Sequence, residues 1–369
     1  MHMSKTVVLS LLICALFTLN NLAQSDEASS GFSWQEDEQS VALYDGSHLV
    51  LKFNYAFLDH KDLNVPEKEP RRFAGDYIYP LYGVLGENLL DDAPKDHYHH
   101  HGVFWTWPGV FVHQEDGTTK QFDLWTSNTA IRQRFLKMDF MDVQDGNAFL
   151  SIENGWFIGA NSTTPDEDLN PSKKGFSIAE NAAFYGEKIM DEKVTLTVHP
   201  VEVVENIKSR AIDFRLELTP TTKDVSLQGA DKKSYGGLTI RFRPRGKIGV
   251  DEFITTDEGV AKDDMPEKPL RWADYTSRFD GLDASTGKSD ALSGAAIFLA
   301  PDFPDYPPAW LTRYYGPLCV GFPGVVAQRF EAGKTVVMKA RIWIHEGLVA
   351  PELLKKVYED YAAGNDFQE

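Results

Sequence analysis

Apolar and polar residues alternate with a period of two along most of this chain, and helical spacing is scarce. The alternation is clearest in "HLVLKFNYAF" (48–57), "KVTLTVHPVEVV" (193–204), "RAIDFRLELTP" (210–220), "LTIRFRP" (238–244), "AAIFLAP" (295–301) and "VVMKARIWIHEG" (336–347). These runs are β-branched or aromatic at alternate positions and bounded by Gly, Pro, Asp or Asn, so each predicts a strand with one face turned to a core. One helix is predicted, in "APELLKKVYEDYAAG". Pro351 suits its first turn, Leu353, Leu354, Val357 and Tyr361 recur at helical spacing, and Gly364 is its stop. The polar stretches 161–174 and 256–268 read as loops, as does the Pro-rich segment carrying Trp310, Arg313 and Tyr314. Strands without crossover helices make antiparallel sheets. With no linker in mid-chain, the pattern predicts one large two-sheet sandwich over 24–369. Two smaller sandwiches split near residue 175 are the alternative, but the early strands would then lack partners.

Composition narrows the setting. Lys5 followed by the apolar run Val7 to Phe17 reads as an export signal over 1–23, cut between Ala23 and Gln24, and the run is too short to span a bilayer. "LLIC" (11–14) is a poor lipoprotein box, so the expectation is a soluble exported protein, most simply periplasmic and not membrane-embedded. Of the two cysteines, Cys14 leaves with the signal and Cys319 remains, so packing must supply stability without an internal disulfide. A formal charge of −18 argues against a nucleic-acid partner. An anionic sugar stays open, because a few arginines can make a locally positive cleft.

The densest candidate chemistry lies in "DHYHHHGVFWTWPG" (96–109). In an extended segment His97, His99 and His101 would share one face, with Tyr98 and His100 on the other. Imidazoles at that spacing could hold zinc, with His113 or a carboxylate completing the set. A non-metal catalytic or binding role is favoured over a metal, and no cofactor is expected. Trp105 and Trp107 are either core residues or rings for stacking on a sugar. "SYGGLTIRF" (234–242) brings Tyr235 to a strand start, where two glycines allow close approach and the phenol could move a proton. Arg71, Arg72, Arg210, Arg241, Arg243, Arg271 and Arg313 are candidates for carboxylate recognition. No serine-hydrolase elbow, phosphate loop, dinucleotide fingerprint or zinc-protease motif is present.

Four ordered motifs, "YIYPLYGVLGENLLDDAPKDHYHHHGVFW", "SYGGLTIRF", "PPAWLTRYYG" and "IWIHEG", resemble those of the bacterial PmoA-like exported proteins. The resemblance implies a β-supersandwich of the galactose mutarotase-like group with a short C-terminal helix, and work alongside polysaccharide-degrading systems. It carries His97, His99 and His100 onto the family's histidines. His101 replaces the family's arginine and Tyr98 a frequent proline, so no arginine contact is expected there.

The reading expected from these features is a carbon–oxygen lyase or dehydratase acting by acid/base elimination on an acidic, uronic-acid-containing oligosaccharide. His97, His99, His100 and Tyr235 would be catalytic, and Trp105, Trp107, Arg241, Arg271, Trp310, Arg313 and Tyr314 would bind substrate. A sugar mutarotase or epimerase and a non-catalytic glycan-binding protein are the alternatives.

Overall fold

The computed structural model describes residues 31–56, 58–63, 65–66, 73–126, 130–159, 186–243, 246–279 and 291–364. The export-signal segment, the 161–174 stretch and the Arg71–Arg72 pair lie outside them. The alternating runs of the sequence pair into two large sheets. A nine-stranded sheet runs, in spatial order, through Phe32–Glu36, Ser40–Asp45, His48–Asn54, Tyr77–Leu81, Val103–Thr106, Gly237–Arg241, Pro317–Gly321, Ala309–Thr312 and Met265–Pro269. A ten-stranded sheet runs through Ile131–Gln144, Asn147–Ile158, Glu187–Val198, Ile207–Pro220, Val336–Glu346, Leu292–Leu299, Trp272–Arg278, Glu252–Thr256 and Gly259–Val260, with Glu202–Val204 also on Ile207–Pro220. Neighbours in both sheets pair antiparallel. Gln328–Phe330, Val225–Gln228, Gly109–His113 and Thr119–Phe122 form a smaller sheet.

The inner faces of the two large sheets meet in a core that includes Val41, Phe53 and Trp105 from one and Leu150, Phe214 and Ile342 from the other. Trp105 packs against Phe214 at 5.2 Å between ring centroids, and Phe242 stacks on Tyr275 at 4.9 Å. Side chains of two sheets thus exclude water between them, the arrangement of a β-sandwich. The helix Pro351–Gly364 lies against the outer face of the ten-stranded sheet. Leu354, Tyr358 and Tyr361 are its buried residues and pack with Trp272, Phe298 and Trp343. The expected contact face of Leu353, Leu354 and Val357 is therefore rotated, with Leu353 and Val357 only partly buried at its margin. Among the described residues, no helix is long and apolar enough to cross a membrane.

Two segments expected to be loops are partly strand, although Arg313 and Tyr314 do lie in a turn, after Ala309–Thr312. Residues 256–268 contain the end of Glu252–Thr256, the short Gly259–Val260 and most of Met265–Pro269. Met265–Pro269 is an edge strand with a register shift between Met265 and Lys268, where proline costs no ladder bond. Trp310 sits in Ala309–Thr312, paired on both sides, because the prolines that suggested a loop all precede the strand.

Candidate functional site

The histidine segment leaves the sheet. Backbone bonds from His97 to Pro94 and from His100 to His97 close two successive turns, and Ala93 N–H donates to the His100 carbonyl. Gly102 ends the excursion at φ +53°, where a Cβ would fall 2.1 Å from the Ile78 carbonyl oxygen, so a side chain cannot be fitted there. The strand Val103–Thr106 begins at the next residue. The alternation expected of an extended segment is replaced by turn geometry. His97, His99 and His100 all line one cavity, whereas His101 turns away into a buried cluster with His60 and Asp92. His113 hydrogen-bonds Ser226 in the four-stranded sheet and is outside both groups. The zinc set imagined from His97, His99, His101 and His113 therefore does not assemble.

The cavity encloses about 220 Å³ and is walled further by Trp125, Tyr235, Arg313, Tyr315 and Lys233. Tyr235 precedes Gly237, whose absent side chain lets the strand pass the Val320 carbonyl oxygen; a Cβ would lie 2.6 Å from it. The Trp125 ring is the shared neighbour of the reactive groups, 4.8 Å from Tyr235, 5.9 Å from His100 and 6.2 Å from His99. His97 is sandwiched between His100 at 4.6 Å and Tyr315 at 5.0 Å, both nearly parallel to it.

Asp96 gives His97 its orientation. The ring Nδ1 lies 2.8 Å from Asp96 Oδ2. A carboxylate only accepts, so Nδ1 carries a proton, and of the two neutral tautomers this bond selects the one with its lone pair on Nε2. Asp96 is held in turn by Arg241 Nη2, at 3.1 and 3.0 Å from its two oxygens. Partial burial opposes the ionised form of Asp96, but the bond from His97 and the Arg241 charge outweigh it and hold its pKa below the usual carboxylate range. Burial, and then the charges of His99 and Arg241, push His100 well below the ordinary imidazole value, so it is neutral at pH 7. Burial, with Asp123 and Cys319 nearby, raises Tyr235, so its hydroxyl stays a proton donor. Burial also raises the Cys319 thiol in the cavity wall to about 11.

Several expected substrate contacts are elsewhere. Trp105, Trp107 and Trp310 are fully buried core residues, and Trp107 Nε1 donates to the Phe322 carbonyl. Tyr314 is also core, its hydroxyl donating to the Ala261 carbonyl. Arg271 pairs with Asp257 at 2.9 Å and lies over Tyr358 of the terminal helix. Arg210 pairs with Asp45 in a separate groove. Arg241 is only 3 % exposed; it acts behind the cavity through Asp96 and over the Tyr315 ring. Among the described residues, Arg313 alone of the expected arginines lines the cavity, with Asp264 3.0 Å from it. Sequence reasoning passed over Asp96, Trp125, Lys233 and Tyr315. Asp96 and Tyr315 had a signal, since each adjoins a residue that was singled out.

Fold and cavity together define a class, an antiparallel β-sandwich protein with imidazole, phenol and cationic groups around one cavity. Within it, the chain belongs to the family described as a family of unknown function (DUF6807), whose model matches residues 40–359. That match lends no support to the PmoA-like name. No curated protein matches the chain. Among solved structures it is similar to a galactose mutarotase-like protein from Clostridium acetobutylicum, with 8% identity and a TM-score of 0.28 over 85% of this chain and 98% of that one. It is also similar to the alpha-galactosidase from Lactobacillus brevis, with 8% identity and a TM-score of 0.25 over 88% of this chain and 40% of that one. Likeness at this level carries no chemistry, and the architecture stands on its strand pairing.

Proposed function

We propose that the chain is a carbon–oxygen lyase that acts by acid/base elimination on a terminal sugar residue bearing a carboxylate. The observation that carries this reading is the meeting, in one cavity, of an Asp96-oriented imidazole, a protonated phenol and two cations. At about 220 Å³ the cavity is smaller than the roughly 300–1,000 Å³ of common ligand sites, which suits one sugar ring and not a chain. Lys233 and Arg313 neutralise the carboxylate and so stabilise the carbanionic character that develops beside it. His97 Nε2 takes the proton alpha to that carboxylate. Electrons of the broken C–H bond form the double bond as the β C–O bond breaks, and Tyr235 gives its proton to the departing oxygen. Water or an alcohol leaves, and proton transfer from imidazolium to phenolate restores both groups. His99 and His100 wall the site beside His97. On this reading the protein would work outside the cytoplasm, as the export-signal segment leads one to expect, in a polysaccharide-degrading setting.

Mutarotation or epimerisation is the second reading, favoured by the single-ring size of the cavity and served by the same imidazole and phenol. The two cationic side chains in the cavity wall favour elimination, because mutarotation has no carboxylate to neutralise. The test is incubation with a panel of acidic oligosaccharides, followed by mass spectrometry and ultraviolet absorbance. Loss of one water, or a new conjugated chromophore after cleavage, supports elimination. A change in optical rotation alone supports mutarotation, and saturable binding without turnover leaves a glycan-binding protein.

A further inference from the structure

His101 does not serve the cavity, and its surroundings have a chemistry of their own. Its Nδ1 lies 2.7 Å from Asp92 Oδ1. On the other side of the same carboxylate, His60 Nε2 is 3.2 Å from Asp92 Oδ2, and the Tyr77 hydroxyl is 2.8 Å from His60 Nε2 and 3.2 Å from Asp92 Oδ2. The ligand atoms of His60, Asp92 and His101 all lie within 4.8 Å of one another, and the three residues are 6, 8 and 6 % exposed.

We propose that His60, Asp92 and His101 bind one divalent transition-metal ion of the zinc class, with the Tyr77 hydroxyl beside it, and that this ion staples the histidine loop to the sheet beneath it. Two imidazoles and one carboxylate are a donor set suited to zinc and its neighbours, whereas calcium and magnesium require mostly oxygen donors. Spacing supports the same ion. Donors about 2.0–2.1 Å from a tetrahedral zinc stand roughly 3.3 Å from one another. The three ligand atoms lie within 4.8 Å of one another, with His60 Nε2 3.2 Å from Asp92 Oδ2 and His101 Nδ1 2.7 Å from Asp92 Oδ1.

Charge supports it as well. The cluster buries the Asp92 carboxylate, and a divalent cation offsets such a charge where water cannot. Beside the cluster is a small cavity of about 40 Å³, lined by Tyr77, His101, His99 and Asp76 among others. That space suffices for a water as a further ligand, since a water needs only ~10–15 Å³. The three ligands come from the 3₁₀ turn His60–Leu63 and both ends of the histidine loop, with Tyr77 of the strand Tyr77–Leu81 beside them, so an ion would tie three separate stretches together. The proposal does not rest on the catalytic reading, because metal content is measured without substrate.

The test is elemental analysis of the purified full chain after desalting, then stripping with a chelator and refilling with zinc or cobalt(II). Expected are about one equivalent of transition metal in the wild type and less than a tenth of that in His60→Ala and Asp92→Asn, with His97→Ala keeping its metal. Stripping should lower the Tm by roughly 5 °C and zinc should restore it. Cobalt(II) should give visible absorption bands. If the His60 and Asp92 variants fail to fold, stripping and refilling the wild type decides alone. A wild-type protein that is isolated without metal, and whose Tm and spectrum respond to neither ion, overturns the proposal and leaves Asp92 as a hydrogen-bond hub. Loss of metal in His97→Ala would also overturn it.

Discussion

Two aspartate–histidine pairs stand at opposite ends of one short loop. Asp96–His97 and Asp92–His101 have nearly the same bond length, 2.8 and 2.7 Å. Their surroundings differ. The side chains of Asp96 and His97 are 48 and 34 % exposed, and the ring faces a cavity. Those of Asp92 and His101 are 5 and 8 % exposed, and Asp92 is engaged by His60 and Tyr77 as well. Burial disfavours the Asp92 anion, but the bonds from His101 and His60 outweigh it and hold its pKa far below the usual range. The comparison teaches that a carboxylate–imidazole bond does not define a reactive histidine. Access for a third group does, and the pair without such access contributes stability or holds an ion.

The largest expected effect separates the two pairs by activity. His97→Ala should lower turnover of an acidic oligosaccharide by roughly two to four powers of ten, with little change in Tm. Steady-state kinetics and thermal unfolding of the same preparation check this. An unchanged rate would remove the catalytic role from the exposed pair.

Next in size is the reverse pattern at the buried pair. His101→Ala leaves Asp92 with an unbalanced charge in a buried place and should cost roughly 3–5 kcal/mol of stability. Denaturant unfolding measures it. A loss under 1 kcal/mol would mean that the buried pair does not hold the loop.

Tyr235→Phe removes the proposed acid and should slow turnover by about two powers of ten. Its pH signature has a definite sign. The folded pKa is raised, so the active phenol form persists through neutral pH and is lost only as pH rises past the ordinary tyrosine value of about 10. The alkaline fall of kcat in the wild type should be absent from the residual rate of Tyr235→Phe. A fall that persists in the variant would assign the limb to another group.

The smallest effect sharpens the comparison by its absence. Arg271→Ala breaks a partly exposed pair with Asp257, away from the cavity, and should leave kcat/KM unchanged and stability within about 1 kcal/mol. A tenfold loss of activity would show that substrate reaches the terminal helix.

The sandwich was legible because its strands alternate cleanly; Ile207–Pro220 and Val336–Glu346 could be read directly from the sequence. Ile131–Gln144 could not, since register shifts near Phe135 and Met138 break its period, and one end of the strand is exposed on both faces. The site was legible as residue types and not as geometry. His97, His99, His100, Tyr235 and Arg313 were named and share a cavity, but the rule of alternating faces failed where Pro94 and Gly102 bracket two turns. Tyr314 and Tyr315 show the same limit. Neighbours in sequence, they face the core and the cavity respectively, and no composition signal says which. Asp92 and His60 were invisible as partners of His101 because only the fold brings them together.

The most direct test is a crystal structure of His97→Ala soaked with an acidic disaccharide. The account predicts one sugar ring in the cavity, its carboxylate within hydrogen-bond reach of Arg313 and Lys233, its alpha C–H directed at the space left by the imidazole, and its leaving oxygen near Tyr235. Sugar bound instead in the groove beside Arg210, or no sugar in the histidine cavity at saturating concentration, would contradict it.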